Sequence, residues 1–205
     1  MILKVTCPKE KKQMKLFKIS LFSVFFIFSI LIFLSSLKYR NWKEEIFEKE
    51  KLVCLQNIDI NQEEIDKKVE KFVLSDSQTE FIVFNADEII HILQKSIRRE
   101  GNILLKDLCV FPSKGEWMIL IKYETKRVPV PWLVLNIVKD NRETPEIYVK
   151  DLTIGNTKFP FNLSKGVVKD INKGISEAIT LLNENQFLGR EIKNIELTEE
   201  RIVIR

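Results

Sequence analysis

His91 is the only histidine in the chain, so any histidine-dependent catalysis would have to use it. A nucleophilic site of that type needs a serine or cysteine within hydrogen-bond reach of the imidazole. His91 lies in a segment of helical periodicity, off the apolar stripe that contains Ile90 and Leu93. No sequence pattern places a nucleophile beside it, so a solvated surface histidine is the favoured interpretation.

Paired carboxylates are the second kind of residue that could do chemistry, as a general acid and a general base. They occur at Glu63-Glu64, Asp87-Glu88 and Glu199-Glu200. Each pair falls at a predicted helix start or turn, where negative charge stabilises a helix end or is solvated. The chain also lacks a nucleophile elbow, a phosphate loop, a dinucleotide fingerprint and a zinc-binding helix motif. We therefore predict a protein that is not an enzyme, with no catalytic residue, no metal and no cofactor.

Three cysteines remain, and their spacing fits no metal site. Cys7 falls in the N-terminal tail, whereas Cys54 and Cys109 fall in the long polar part of the chain. In an oxidising compartment Cys54 and Cys109 could form a disulfide. Two separate thiols, buried or free, are the alternative.

Three lysines, Lys165, Lys169 and Lys173, recur every four residues in a segment of helical periodicity and so share one face. Such a stripe could bind anionic headgroups or a cell-wall polymer. An ordinary solvated face is the alternative, because Asp170 and Glu177 interrupt the stripe.

Two short helices begin with a capping box, in which an Asn is followed three residues later by a Glu. The helices are predicted at about 61–74 and 85–98, with Asn61 and Asn85 as caps. The period then changes from helical to strand-like. We predict a short strand at 55–60, long strands at 103–111, 116–125, 132–138 and 146–154, a long amphipathic helix at 163–183, and a closing hairpin from 191–197 and 201–204.

The middle strands are apolar on both faces, whereas an antiparallel sheet with one wet face alternates apolar and polar residues. Simple burial between two protein layers would explain this pattern, and a lipid acyl chain held in a groove is the sharper hypothesis. Gly166, Gly174 and Ala178 would let the long helix approach the sheet closely at such a groove. The residues predicted to line it are Trp117, Met118, Leu120, Trp132, Leu133, Leu135, Ile171 and Ile175.

The elements above follow an apolar segment, residues 19–37, that contains no charge, no proline and no glycine. Such a segment is predicted to form an uninterrupted helix. As a helix it would span roughly 28 Å, close to the hydrocarbon thickness of a bilayer. Its N-terminal flank is rich in lysine, which favours a cytoplasmic N-terminus and a C-terminal domain outside the cell membrane. A cleaved signal peptide is the alternative, although residues 34–38 show no clean small-x-small site. Met14 is an alternative start.

Charge follows the same division of the chain. The whole chain has a net charge of +4, and residues 1–18 alone carry +5. Residues 19–205 therefore sum to −1, and the sequence predicts no basic face for nucleic acid there. The predicted organisation is a cytoplasmic tail at 1–18, a transmembrane helix at 19–37, a juxtamembrane spacer at 38–60 and one domain at 61–205. We expect that domain to be α+β, with a curved antiparallel sheet packed on the long amphipathic helix.

The order of parts resembles a known family. An anchor is followed by NADEIIHILQKSI, WMILIKYE, VPVPWLVLNIV and IYVKDLTIGNTKFP, and then by a long amphipathic helix. This layout resembles the YpmS-like family of membrane-anchored extracytoplasmic bacterial proteins, and is similar to the tubular lipid-binding domains. The resemblance implies association with lipid or the cell envelope without catalysis, and it carries no site residue across. The predicted function is a non-catalytic binding module whose partner is membrane lipid, or alternatively an accessory subunit or assembly factor with a membrane protein partner.

Overall fold

The computed structural model describes residues 8–57, 61–74, 81–96, 103–125, 130–139, 145–158, 163–184 and 191–205. The chain divides into two compact units, with the boundary between Glu44 and Glu45. The fold is α+β, with a long apolar N-terminal helix, a six-stranded antiparallel sheet and a smaller three-stranded sheet. The predicted tail before Pro8, and the predicted element ends at 58–60 and 97–98, lie outside the described residues.

The first helix, α1, runs from Pro8 to Phe47. No glycine or proline lies between Lys9 and Phe47, so nothing in the sequence interrupts the helix. The segment Phe22–Phe47 is long and apolar enough to cross a membrane. Within its own unit, the apolar side chains from Phe22 to Leu34 are exposed. A signal sequence has the same composition, so the helix alone does not separate an anchor from a cleaved leader.

The larger sheet contains the four long strands that the sequence predicted. In spatial order its strands are β1 (Val53–Cys54), β3 (Ile103–Ser113), β4 (Glu116–Thr125), β5 (Leu133–Lys139), β6 (Ile147–Ile154) and β7 (Thr157–Lys158). Gly115 takes a φ of 76° in the tight turn between β3 and β4, a conformation that favours glycine. The strand predicted at 55–60 is wrong in its described part, because Leu55–Asn57 forms a 3-10 turn.

The smaller sheet joins the predicted closing hairpin, β8 (Ile195–Leu197) and β9 (Arg201–Ile204), to β2 (Ile82–Asn85) in the order β2-β9-β8. Helices α2 (Gln62–Leu74) and α3 (Ala86–Ser96) follow the two predicted caps. Asn85 and Glu88 form the complete capping box, since the Glu88 amide donates to Asn85 Oδ1 at 2.9 Å. The Asn85 amide donates back to Glu88 Oε2, also at 2.9 Å.

The main core lies between α3, the small sheet and one face of the large sheet. Ile90, Leu108 and Val110 have no exposed surface, and Trp117 is 1% exposed. The remaining members of the cluster are Ala86, Ile119, Ile121 and Leu197. Burial of this apolar surface is the main contribution that holds the elements together.

Helix α4 (Leu163–Glu184) lies against β6. The Asn172 side chain accepts a hydrogen bond from the Val149 amide at 2.6 Å and donates to the Val149 carbonyl at 2.9 Å. It thereby pairs backbone groups that a sheet edge leaves open. The expectation that Gly166 and Gly174 allow a close approach to the sheet is wrong, because both are exposed and an added Cβ would meet no atom within 4 Å.

Candidate functional site

The predicted groove residues divide between the two faces of the large sheet. Directly opposite residues of antiparallel strands share a face, and alternate residues of one strand point to opposite faces. The register pairs Trp117 with Ile137, Ile119 with Leu135 and Ile121 with Leu133, so Trp117, Leu133 and Leu135 share one face. Leu120 pairs with Val134, and Met118 with Asn136, on the opposite face. One groove therefore cannot be lined by both sets.

The first of these faces, here called the core face, carries Trp117, Leu133 and Leu135. Trp117 belongs to the main core, and Leu133 and Leu135 pack against it. The Trp117 indole Nε1 donates to the Thr198 carbonyl at 2.8 Å, which ties β4 to the turn between β8 and β9. These three residues thus contribute to packing, with a polar indole group satisfied inside the core.

The opposite face, here called the second face, carries Met118, Leu120 and Val134, followed outward by Trp132. Leu120 is 0% exposed, Val134 2% and Trp132 5%, so something covers this face. Residues 45–57, here called the connecting segment, form part of this cover. The Phe47 ring lies 5.2 Å from the Trp132 ring, centroid to centroid, and Ile46 is buried.

A disulfide between Cys54 and Cys109 ties the connecting segment to the second face. The two residues are register partners of β1 and β3, and Cys109 is fully buried. Of the two alternatives that the sequence left open, the structure has the disulfide. Lys49 also reaches this face, with its Nζ 5.0 Å from the centroid of the Phe111 ring, within the range of a cation–π contact.

Asp107 and Lys122, a charged pair of register partners, lie on the second face. Burial raises the pKa of the Asp107 carboxyl, and the hydrogen bond that it accepts from the Leu108 amide at 2.9 Å acts in the opposite direction. Lys122 donates to the Val130 carbonyl, and its Nζ lies 6.0 Å from the Trp132 ring centroid. Lys122 thus contacts both Val130 and Trp132 at this end of the second face.

Two of the polar residues considered for catalysis, His91 and Glu88, join helices α2 and α3 instead. His91 Nε2 lies 2.6 Å from Gln62 Oε1, and Lys95 Nζ donates to the same oxygen at 2.6 Å. Lys68 forms an ion pair with the buried Glu88 at 2.5 Å. Across the described residues, no group of three His, Cys, Asp or Glu side chains could hold a metal ion.

A cleft between α4 and β6 brings part of the predicted lysine stripe together with a strand. The cleft has a volume of about 510 Å³. Lys165 and Lys169 line it, whereas Lys173 forms an ion pair with Glu177 at 3.5 Å. The remaining residues of this α4–β6 cleft are Lys150, Asp151, Leu152, Ser164, Val168 and Asn172.

Two contributions to these sites were missed from the sequence. Phe47 belongs to an Ile-Phe pair inside the charged stretch 43–51, which is a signal for burial, but only the fold shows that its ring lies against Trp132. Lys150 belongs to the α4–β6 cleft because β6 lies beside α4. Spacing along one helix cannot reveal which strand packs against it.

Ile171 and Ile175, the two predicted groove residues on α4, are half-buried on the side of the helix that carries Asn172. Neither lines the α4–β6 cleft. No protein-family model, curated protein or solved structure matches this chain. The interpretation of these sites therefore depends on the chemistry of their own residues.

Proposed function

We propose that the chain is a single-pass membrane protein with a cytoplasmic N-terminal tail and an extracytoplasmic domain at 45–205. The lysine-rich tail before the apolar helix favours the cytoplasmic side, and the helix is long enough to span a bilayer. This proposal includes the YpmS-like assignment, which rests on the order of the chain's parts.

The disulfide is the observation that carries the proposed location. Disulfides persist in oxidising compartments and are rare where cellular reductants keep thiols reduced. Cys54 and Cys109 are held as direct register partners on neighbouring strands, so the fold itself brings the two sulfurs together. An extracytoplasmic domain is the arrangement in which this bond would be stable.

The proposed role is non-catalytic binding of a lipid or another envelope component at the outer surface of the membrane. The α4–β6 cleft supports a ligand, because it combines lysines with the apolar side chains of Leu152 and Val168. Binding sites of this mixed character favour amphiphiles with an anionic end. The polar clusters around His91 and Glu88 are occupied by contacts between helices.

Thiol labelling of the full-length chain in its native membrane tests the location. Denatured without reductant, a chain that begins at Met1 should react with a mass-tagged maleimide only at Cys7, and after reduction at all three cysteines. The Cys7→Ser variant should lose the single tag and serves as the control. Three tags without reductant would contradict an oxidised, extracytoplasmic domain.

Intact mass measurement of the membrane-extracted protein separates an anchor from a cleaved leader. An uncleaved anchor predicts the mass of a chain that begins at Met1 or Met14. A product that begins near residue 38 would show that the apolar segment is a signal peptide, and the domain would then lack its proposed tether.

Mass spectrometry of the full-length chain, purified in mild detergent, tests the proposed ligand. A retained lipid or envelope component at stoichiometric amounts is expected. A protein without any such molecule, in the same membranes that yield an oxidised domain, would contradict the binding role while leaving the location intact.

An accessory subunit or assembly factor is the second candidate function. The outward side of α4 favours it, since Val167 is 46% exposed and Ala178 and Gly174 are exposed beside it. Apolar and small residues on the open side of an amphipathic helix suit a protein partner. Crosslinking in intact membranes should then yield one partner in a fixed ratio, and a pattern without such a product would exclude this candidate.

A further inference from the structure

We propose that the α4–β6 cleft binds a phosphodiester anion, with Lys150, Lys165 and Lys169 as its cationic contacts. This inference rests on the proposed binding function and names the chemical class of the ligand. The three lysines come from two elements, since Lys150 lies on β6 and the other two on α4. They therefore surround a volume of about 510 Å³ instead of forming a stripe along one helix.

The walls of the cleft are held in place by two side-chain amides. Asn172 bridges both backbone groups of Val149, which fixes α4 along β6. Asn136 Nδ2 donates to the Asp151 carboxylate at 2.5 Å and holds it against the neighbouring strand. A cleft with fixed walls binds a ligand with less loss of conformational entropy than two mobile segments would.

The charge of the cleft is opposite to that of its domain. Residues 1–44 hold nine Lys and Arg and two Glu, which leaves a net charge of −3 for residues 45–205. The described residues of the cleft lining contribute three lysines and one aspartate, a formal charge of +2. A concentrated positive region in an otherwise acidic domain attracts anions specifically to that place.

Several lysines of the domain outside the cleft form ion pairs. Lys51, Lys67, Lys68, Lys106 and Lys173 each form an ion pair with a glutamate. In the part of the chain that the structure describes, neither Lys150 nor Lys169 has a carboxylate within ion-pair distance. Grouped like charges raise the local electrostatic energy, and a bound anion would lower it.

A phosphodiester fits this lining better than a plain carboxylate or a nucleic acid. Lysine ammonium groups act as point charges for phosphate oxygens. Ser164, in the first turn of α4, adds a hydroxyl donor near the positive end of the helix dipole. Leu152 and Val168 offer apolar contact for the alkyl part of the ester. The described lining contains no aromatic side chain that could stack on a base.

Two sources share this chemistry, an anionic phospholipid headgroup and a phosphodiester polymer of the envelope. Calorimetric titration of the full-length chain in neutral phosphatidylcholine nanodiscs distinguishes them. The probes are dihexanoyl-phosphatidylglycerol, a short oligomer of glycerol phosphate, and inorganic phosphate. The cleft variant is Lys150→Gln/Lys165→Gln/Lys169→Gln, and the matched control, with the same change in charge on exposed lysines, is Lys67→Gln/Lys71→Gln/Lys173→Gln.

The wild-type chain should bind at least one of the two esters, and the cleft variant should bind it about tenfold more weakly, as expected from the loss of three ionic contacts. The control variant should match the wild type within about twofold, because its lysines lie outside the cleft. Preference for the lipid identifies a headgroup site, and preference for the oligomer identifies a polymer site.

Equal weakening in both triple variants would overturn the inference, since it would show attraction to overall charge. Binding of inorganic phosphate as strongly as the esters, or of no probe at all, would overturn it as well. These failures are distinguishable from failure of the proposed function, because the thiol-labelling pattern and a retained ligand of another class do not depend on the cleft lysines.

Discussion

The two faces of the six-stranded sheet are covered by different kinds of structure. The core face packs against α3 and β8, elements that come from opposite ends of the domain sequence. The second face is covered at its Trp132 end by the connecting segment, which directly follows the apolar helix. Among the described residues, the first cover contains many long-range apolar contacts, whereas the second contains an aromatic pair, a disulfide, the Lys49–Phe111 contact and the buried Ile46.

This difference separates global from local stability. Removing part of the core face should unfold the domain, because its cluster joins both sheets and α3. Opening the second face should release a short segment while the core face stays folded. The connecting segment is also the part of the domain nearest in sequence to the apolar helix.

The largest effect is expected from Trp117→Ala on the core face. This change removes a side chain that is 1% exposed and leaves the Thr198 carbonyl without its indole donor. We expect the free energy of unfolding to fall by about 3–5 kcal/mol. Denaturant unfolding of the full-length chain in detergent measures this loss. The signal should be the circular dichroism of the backbone, because the substitution changes tryptophan fluorescence.

Trp42→Ala is the control for that experiment, because Trp42 lies in the other unit and stacks on Tyr39. Its effect on unfolding of the domain should be below about 0.5 kcal/mol. If both substitutions lowered the free energy of unfolding by similar amounts, the effect of Trp117→Ala could not be attributed to packing in the main core.

Removing the disulfide should have the next largest effect. The bond links residues 55 apart in sequence, and its loss should lower stability by about 2–4 kcal/mol. The variant is Cys54→Ala/Cys109→Ala, with Cys7→Ala as the matched control. Hydrogen exchange should accelerate first in the connecting segment, while the amides of β4 stay protected. Uniform acceleration over both faces would contradict the separation of local from global stability.

A smaller loss is expected from Phe47→Ala, which breaks the aromatic pair with Trp132. Phe47 is 37% exposed, so we expect about 1–2 kcal/mol. Phe47→Leu retains most of the apolar surface and should recover roughly half of the loss. A double-mutant cycle with Trp132→Ala should give a coupling of about 0.5–1.5 kcal/mol. Coupling near zero would mean that the segment covers the face without stabilising it.

The contrast between the faces also shows which features of the fold could be predicted from the sequence. The period-two spacing of Trp117, Ile119 and Ile121 predicted a strand at 116–125, because such spacing follows directly from backbone geometry. The caps at Asn61 and Asn85 were predicted because a capping box is a local pattern. Both are properties of a few adjacent residues.

What covers each face depends on contacts between distant residues, which periodicity does not contain. The apolar pattern on the second face was compatible with a ligand or with protein, and only the placement of Phe47 on Trp132 identifies the cover at that end. The amphipathic pattern of α4 likewise predicted a helix, but not that Asn172 would fix it along β6 with Gly166 exposed. The two-residue strand β7 is too short to show a pattern.

The smallest expected effect is a dependence on pH at Asp107, which carries charge into the second face. Burial raises its folded-state pKa above the ordinary value of 3.8. Between those two values the folded state binds more protons than the unfolded state, so stability falls as pH rises. The stabilising contribution is complete below the unfolded pKa and is lost once the pH passes the folded pKa.

Asp107→Asn removes this dependence. The variant should match the wild type at the lowest pH and become the more stable protein as the pH rises past the raised pKa, with no further divergence towards neutrality. Unfolding measured across that window, with Glu146→Gln as an exposed control, tests the sign. The opposite trend would mean that Lys122, its register partner, stabilises the carboxylate more strongly than burial destabilises it. In that case the Trp132 end of the second face would be held by an ion pair as well as by its aromatic cover.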